Sequence, residues 1–161
     1  AQLDRFLFHV VLDYPSLDDE IEIARRARQV EDGHVEGAVR AQLRPDDLLK
    51  LRKQVDTVHI DERVERFAVE LVVATRSPGD YRPEWRQLVS VGASPRGSIA
   101  LLRASMARAV IAGRDFVLPE DIRALATDVL RHRIILAFNA DAEGIDADRF
   151  IGTLMETIEQ P

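Results

Sequence analysis

The chain has 161 residues, 46% of them hydrophobic and 31% charged, and a formal net charge of −6, the balance of one soluble globular domain long enough to bury a real core. It has no cysteine, 8 glycines and, among 22 basic residues, only Lys50 and Lys53 as lysines; this excludes thiolate metal sites, thiol nucleophiles, disulfides and a glycine-rich phosphate loop ending in lysine. The acidic balance argues against a broad nucleic-acid or anionic-lipid surface, and no apolar run is long enough for a bilayer or follows a basic leader, so a cytoplasmic setting is expected.

In chain order, Phe6-Leu7-Phe8-His9-Val10-Val11-Leu12 is a near-continuous apolar run stopped by Asp13-Tyr14-Pro15, which predicts a buried strand. No later segment offers it a strand partner. The run therefore reads as the last strand of a domain whose other strands lie upstream of Ala1, and a chain opening on alanine reads as a piece of something longer. Ser16 and Asp19 form a capping-box-like start, acids fill the following turn, and Gly33 closes that helix.

Pro45 with Asp46 and Asp47 opens a second helix carrying Leu48, Leu51, Arg52 and Val55 on one side. Asp61 caps a third, whose Val64, Phe67, Ala68, Leu71 and Val72 follow the i, i+3, i+4, i+7, i+8 pattern. Residues 76–94 hold Pro78-Gly79, Pro83 and Gly92 and predict a long irregular connection. In it, Tyr81 and Trp85 lie among Arg82 and Arg86, either folding onto the bundle or forming a partner patch.

Ser94 as N-cap and Pro95 at N1 open a fourth helix reaching Gly113, with Ile99, Leu102, Met106, Ala109 and Val110 expected inward. Pro119-Glu120-Asp121 opens a fifth with Ile122, Leu125, Ala126, Val129 and Leu130, and Asp146 a last one with Phe150, Ile151, Leu154 and Ile158. The expected fold is mainly α: a helical bundle at residues 16–161 behind a core-strand remnant at residues 1–15.

Two arginines stand out. Arg96 lies in the first turn of a helix, where its charge opposes the positive end of the macrodipole. An anion offsets that cost, because free N–H groups beside a guanidinium make a phosphate site. The competing structural reading has Arg96 swing away to pair with an acid. Arg5 precedes the apolar run in Gln2-Leu3-Asp4-Arg5-Phe6, where an ion pair with Asp4 would account for it. The four histidines, His9, His34, His59 and His132, show no metal-ligand spacing, and acidic pairs such as Glu120-Asp121 suit helix first turns without catalytic roles.

The segment Leu3-Asp4-Arg5-Phe6, the later Gly92-Ala93-Ser94-Pro95-Arg96-Gly97-Ser98, the helix start Leu118-Pro119-Glu120-Asp121-Ile122 and the ending Leu130-Arg131-His132-Arg133-Ile134 together resemble the C-terminal part of MoxR-family AAA+ ATPases over nearly the whole chain. The resemblance implies an AAA+ lid. Arg5 would be the arginine finger, reaching the γ-phosphate of ATP on a neighbouring subunit. Arg96 would be sensor 2, presented by Ser94 and Pro95. It further implies ATP with Mg2+ in the longer chain, a homo-oligomeric ring of hexameric size, and chaperone-like remodelling or cofactor and metal insertion on protein clients such as von Willebrand factor A-domain proteins.

Walker A is absent, and Leu17-Asp18-Asp19-Glu20, the nearest imitation of Walker B, follows Pro15-Ser16 instead of a buried strand. The stretch by itself is therefore expected neither to bind ATP tightly nor to hydrolyse it. A magnesium-chelatase-type lid is the neighbouring alternative, disfavoured because Phe6-Leu7-Phe8 stands where a glycine is expected after the finger. A stand-alone helical interaction or DNA-binding module is the alternative of another class, disfavoured by the acidic balance and the unpaired strand.

Overall fold

The computed structural model describes residues 2–31 and 42–161; Gly33 and His34 lie outside the described residues. Packing divides the chain into two units, Ala1–His9 with Leu49–Pro161, and Val10–Leu48. In the second unit, α1 (Leu17–Glu31) begins as its sequence dictates: the Ser16 hydroxyl accepts from the Asp19 amide at 3.3 Å and donates to the Asp19 carboxylate at 2.6 Å. Leu17, Ile21 and Ile23 are exposed.

The first unit takes in α2 (Pro45–Val55) from Leu49 onward, and α3 (Glu62–Ala74) follows, capped by Asp61, whose carboxylate accepts from the Arg63 amide at 2.9 Å. All five apolar residues of the predicted α3 stripe are buried. They meet α4 (Pro95–Ile111), α5 (Pro119–Leu130) and α7 (Ala147–Thr157), whose Leu101, Ile122, Leu130, Phe150, Ile151 and Leu154 complete the core. A short α6 (Phe138–Ala142), absent from the sequence expectations, precedes α7.

The face that α4 buries differs in part from the expected one. Ala109 is inside as expected, and Leu102, Met106 and Val110 pack partly buried against the core, but Ile99 is 59% exposed and the rest of the buried face is Gly97, Ala100, Leu101, Ala104 and Ser105. Small residues let α4 sit close to its neighbours: a Cβ on Gly97 would already touch Leu130 at 3.3 Å. Close approach here outweighs the burial of larger side chains.

The long connection after α3 folds onto the bundle. It contains turns at Pro78–Asp80 and Pro83–Gln87 and a strand, β1 (Val89–Val91), which pairs antiparallel with β2 (Ile135–Leu136). Trp85 is buried edge-on against Phe150 at 5.9 Å, with the Arg82 guanidinium 4.7 Å over its ring. The Tyr81 hydroxyl donates to Glu70 at 3.1 Å; burial, with Glu70 beside it, pushes its pKa up to about 12.

Gly92 lets this connection pass α3, since a Cβ there would stand 2.5 Å from the Thr75 carbonyl oxygen. The contact is backbone against backbone and cannot relax by a rotamer change. Gly92→Ala is expected to cost about 2 kcal/mol or more, which calorimetry of the variant checks; an unchanged melting temperature would refute the close-packing account.

The predicted strand at residues 6–12 does not form. Residues 6–16 carry neither helix nor ladder, and Phe6, Leu7, Phe8, Val10, Val11 and Leu12 are exposed. The reason lies far along the chain: a turn at Leu3–Arg5 leads into backbone whose Phe6, Leu7 and His9 carbonyls are taken by Arg133 and Arg131, in the turn that follows α5.

Candidate functional site

The sequence of α4 places Ser94 at its N-cap and Pro95 at N1, with Arg96 next. The Ser94 hydroxyl accepts from the Arg96 amide at 3.2 Å and donates to Asp4 Oδ2 at 2.9 Å. One hydroxyl thus ties the start of α4 to the turn that carries Arg5. As a result, Arg5 and Arg96 line the same open cleft of about 310 Å³, together with Asp4, Leu7, Ile99, Ala100, Arg103 and Arg133.

Neither structural alternative for these arginines is realised among the described residues. Asp4, the candidate partner of Arg5, is committed elsewhere: Oδ2 to Ser94, and Oδ1 to Arg133 Nε, 3.3 Å away in an ion pair not aligned as a hydrogen bond. The exposed guanidiniums of Arg5, Arg96 and Arg103 make no hydrogen bond or ion pair to any described residue. Other arginines of this unit do find partners: Arg131 binds Asp128 and Asp148, and Arg114 and Arg108 bind Asp121.

Arg103 was missed by the sequence reading, although it was legible. Arg96, Ile99 and Arg103 are spaced i, i+3, i+7, one face of a helix, with the two arginines about 10 Å apart along its axis. Three guanidiniums around one concavity, unpaired among the described residues, form a site suited to an extended polyanion, because each presents a planar fork of donors to phosphate oxygens.

Beside this cleft, His132 is half-buried, with its Nδ1 left without a hydrogen-bond partner. His132 Nε2 lies 3.0 Å from the Phe6 carbonyl oxygen, and its ring meets His9 edge-on at 5.9 Å. Burial, reinforced by Arg133 and His9, lowers the His132 pKa below the usual imidazole value. Among the described residues no group of three or more His, Asp or Glu is placed to hold a metal ion, and no helix is long and apolar enough to cross a membrane.

Residues 86–153 match the AAA lid domain family. The chain is 35% identical over its whole length to the uncharacterised protein YeaC of Bacillus subtilis, covering 47% of that protein, and 33% identical over its whole length to chaperone MoxR1 of Mycobacterium tuberculosis, covering 42% of it. A solved structure of a candidate ATPase from Cytophaga hutchinsonii superposes with a TM-score of 0.87 at 38% identity, over 98% of this chain and 47% of the other. The chain spans less than half the length of the curated relatives it matches. Its helical lid architecture and these likenesses place it in the MoxR family of AAA+ proteins, as a stretch that contains the family's lid.

Proposed function

We propose that this chain is the C-terminal part of a longer MoxR-type AAA+ ATPase, with residues 1–15 the end of its nucleotide-binding core and residues 16–161 its lid. Its cleft receives the phosphates of ATP. The observation that carries this reading is the convergence of Arg5, Arg96 and Arg103, all unpaired among the described residues, on one cleft. Arg5 acts as the arginine finger and Arg96 as sensor 2, with Ser94 and Pro95 shaping the helix start that presents it. Since both line one cleft, they serve one nucleotide: an Arg5 that reaches a neighbouring subunit's ATP takes Arg96 with it. Phosphoryl transfer asks little covalent chemistry of a protein and much stabilisation of charge on the transferring oxygens, which is what guanidinium forks supply.

ATP and its Mg2+ are held mainly by the core of the longer chain, in a hexameric cytoplasmic ring. Loss of phosphate contacts after hydrolysis frees the lid to rotate, and that motion drives chaperone-like remodelling of protein clients or insertion of a metal or cofactor. The name of chaperone MoxR1 and the resemblance of the lid motifs support the chaperone role, and von Willebrand factor A-domain proteins are the client class that the family resemblance implies.

The test is ATP turnover by the longer chain. Arg96→Ala is expected to lower it at least about ten-fold. Arg103→Ala, on an exposed contact, is expected to raise KM for ATP about three- to ten-fold with kcat little changed. Wild-type turnover in both Arg5→Ala and Arg96→Ala would overturn the assignment, and an unchanged KM in Arg103→Ala would remove that residue from the site.

A further inference from the structure

The nucleotide reading leaves Leu130-Arg131-His132-Arg133-Ile134, at the end of α5, without a role. Arg133 is the one basic side chain buried among the described residues, at 7% exposure. Its Nη2 donates to the carbonyls of Asp4 at 3.2 Å and Phe6 at 2.6 Å, and its Nη1 to those of Leu7 at 3.3 Å and Val129, while Nε faces the Asp4 carboxylate. Arg131 Nη1 takes the His9 carbonyl at 2.5 Å, and the His9 amide donates to the Asp128 carbonyl at 2.8 Å.

Burying a guanidinium is costly, and an apolar side chain of similar volume would fill the space at lower cost. What an apolar residue lacks is a set of donors that gathers the backbone on both sides of Arg5. Asp4 and Phe6 flank Arg5 in the chain, and both of their carbonyls end on a single nitrogen of Arg133. Through Asp4 the same cluster reaches Ser94 and hence the start of α4.

We propose that Arg133 is a positioning residue for the arginine finger: one buried guanidinium, rooted in the lid, fixes the Asp4–Leu7 backbone so that Arg5 stands beside Arg96. Lid and finger then move as one body. The proposal rests on the reading of Arg5 given above, and its test separates the two. Lysine at position 133 keeps the charge but has no planar fork to span three carbonyls.

In the longer chain, Arg133→Lys is expected to lower kcat for ATP about 30- to 100-fold, the scale of a roughly 1 Å misplacement of a reacting group. KM is expected to change less than about two-fold, because Arg96 and Arg103 stay on α4. The double variant Arg5→Ala/Arg133→Lys is expected to be no slower than Arg5→Ala alone, since a residue acting only through Arg5 has nothing left to position. A wild-type kcat in Arg133→Lys, or losses that multiply in the double variant, would overturn the proposal while leaving Arg5 as the finger.

Hydrogen exchange gives a readout independent of activity. The amides of Phe6 and His9 are expected to exchange at least about ten-fold faster in Arg133→Lys, with those in the middle of α4 unchanged. Equal acceleration throughout the chain would mark general destabilisation and defeat the proposal. If Arg5→Ala keeps wild-type turnover, the nucleotide reading of Arg5 falls and so does this one. Asp4→Asn serves as the milder variant where lysine prevents folding: it keeps an acceptor for Ser94, removes the charge facing Nε, and is expected to give the same pattern at about three- to ten-fold.

Discussion

Arg5→Ala in the longer ATPase chain is expected to lower ATP turnover by about 10³- to 10⁵-fold, ~4 to 7 kcal/mol in the barrier, the contribution of a finger arginine to phosphoryl transfer. Stability should hardly change, because the Arg5 side chain is exposed and makes no hydrogen bond or ion pair to any described residue, and such surface substitutions stay within about 0.5 kcal/mol. The measurement therefore isolates function from folding, which is rare for a residue next to a buried ion pair.

Arg5→Lys should not rescue the rate, since an ammonium is a point charge without a bidentate fork. Mixing supplies the geometry. Subunits carrying Arg5→Ala, combined with subunits that have an intact Arg5 but bind no nucleotide, should regain turnover if the finger crosses the subunit boundary. Absence of rescue would place Arg5 on its own subunit's nucleotide, and the shared cleft would place Arg96 there too. A near-normal rate in Arg5→Ala itself would end the reading of Arg5 as the finger, and the same result in Arg96→Ala as well would end the nucleotide reading of the cleft.

Features set by neighbours in sequence were legible before the structure. The caps at Asp61, Ser94 and Asp146 each bind an amide two or three residues on, and the α3 stripe repeats with the helical period. Features set by distant residues were not. The apolar run at residues 6–12 signals contact with something, but not whether its carbonyls face another strand; those of Phe6, Leu7 and His9 face Arg133 and Arg131, more than 120 positions away. The α4 face was misjudged in part because glycine and alanine do much of the packing there, and they leave a weak apolar signal. β1 and β2, three and two residues long, were too short for alternation to show.

The site divides the same way. Arg5 and Arg96 stood out from their motifs, but their meeting in one cleft depends on Asp4 turning from its chain neighbour to Ser94 and Arg133, 90 and 129 residues on. Arg103 lay within reach of sequence reading, at a helical repeat from Arg96. Arg133 gave no such sign, because burial of an arginine is a property of the fold around it.

Asp121 is the largest expected stability effect. Its sequence position in the first turn of α5 suggests a dipole acid worth a few tenths to about 1 kcal/mol, yet the carboxylate is 2% exposed and accepts four side-chain and backbone hydrogen bonds: two from Arg114 at 2.8 and 2.7 Å, one from Arg108 Nε at 3.1 Å and one from the Leu118 amide at 2.9 Å. Asp121→Ala should cost about 3 kcal/mol, the low end for breaking a buried pair because Arg108 is half exposed. For a chain of this length that lowers the melting temperature by about 6 to 12 °C.

Glu120→Gln, in the same helical turn but exposed, should cost under about 0.5 kcal/mol; equal losses in the two variants would reduce Asp121 to a dipole acid. The pH dependence has a definite sign. Burial alone would raise the Asp121 pKa, but the Arg114 hydrogen bonds, the Leu118 amide and the charges of Arg114 and Arg108 outweigh it and hold the pKa below the ordinary 3.8. The unfolded chain therefore takes up this proton first. The contribution is complete above the ordinary carboxylate value and is lost as pH falls through the lower folded one. Acid unfolding followed by circular dichroism should be less steep in Asp121→Asn than in the wild type across that window. Because Arg108 belongs to α4 and Asp121 to α5, the same cluster braces the helix that presents Arg96 and Arg103, and its loss should loosen the cleft before the core melts.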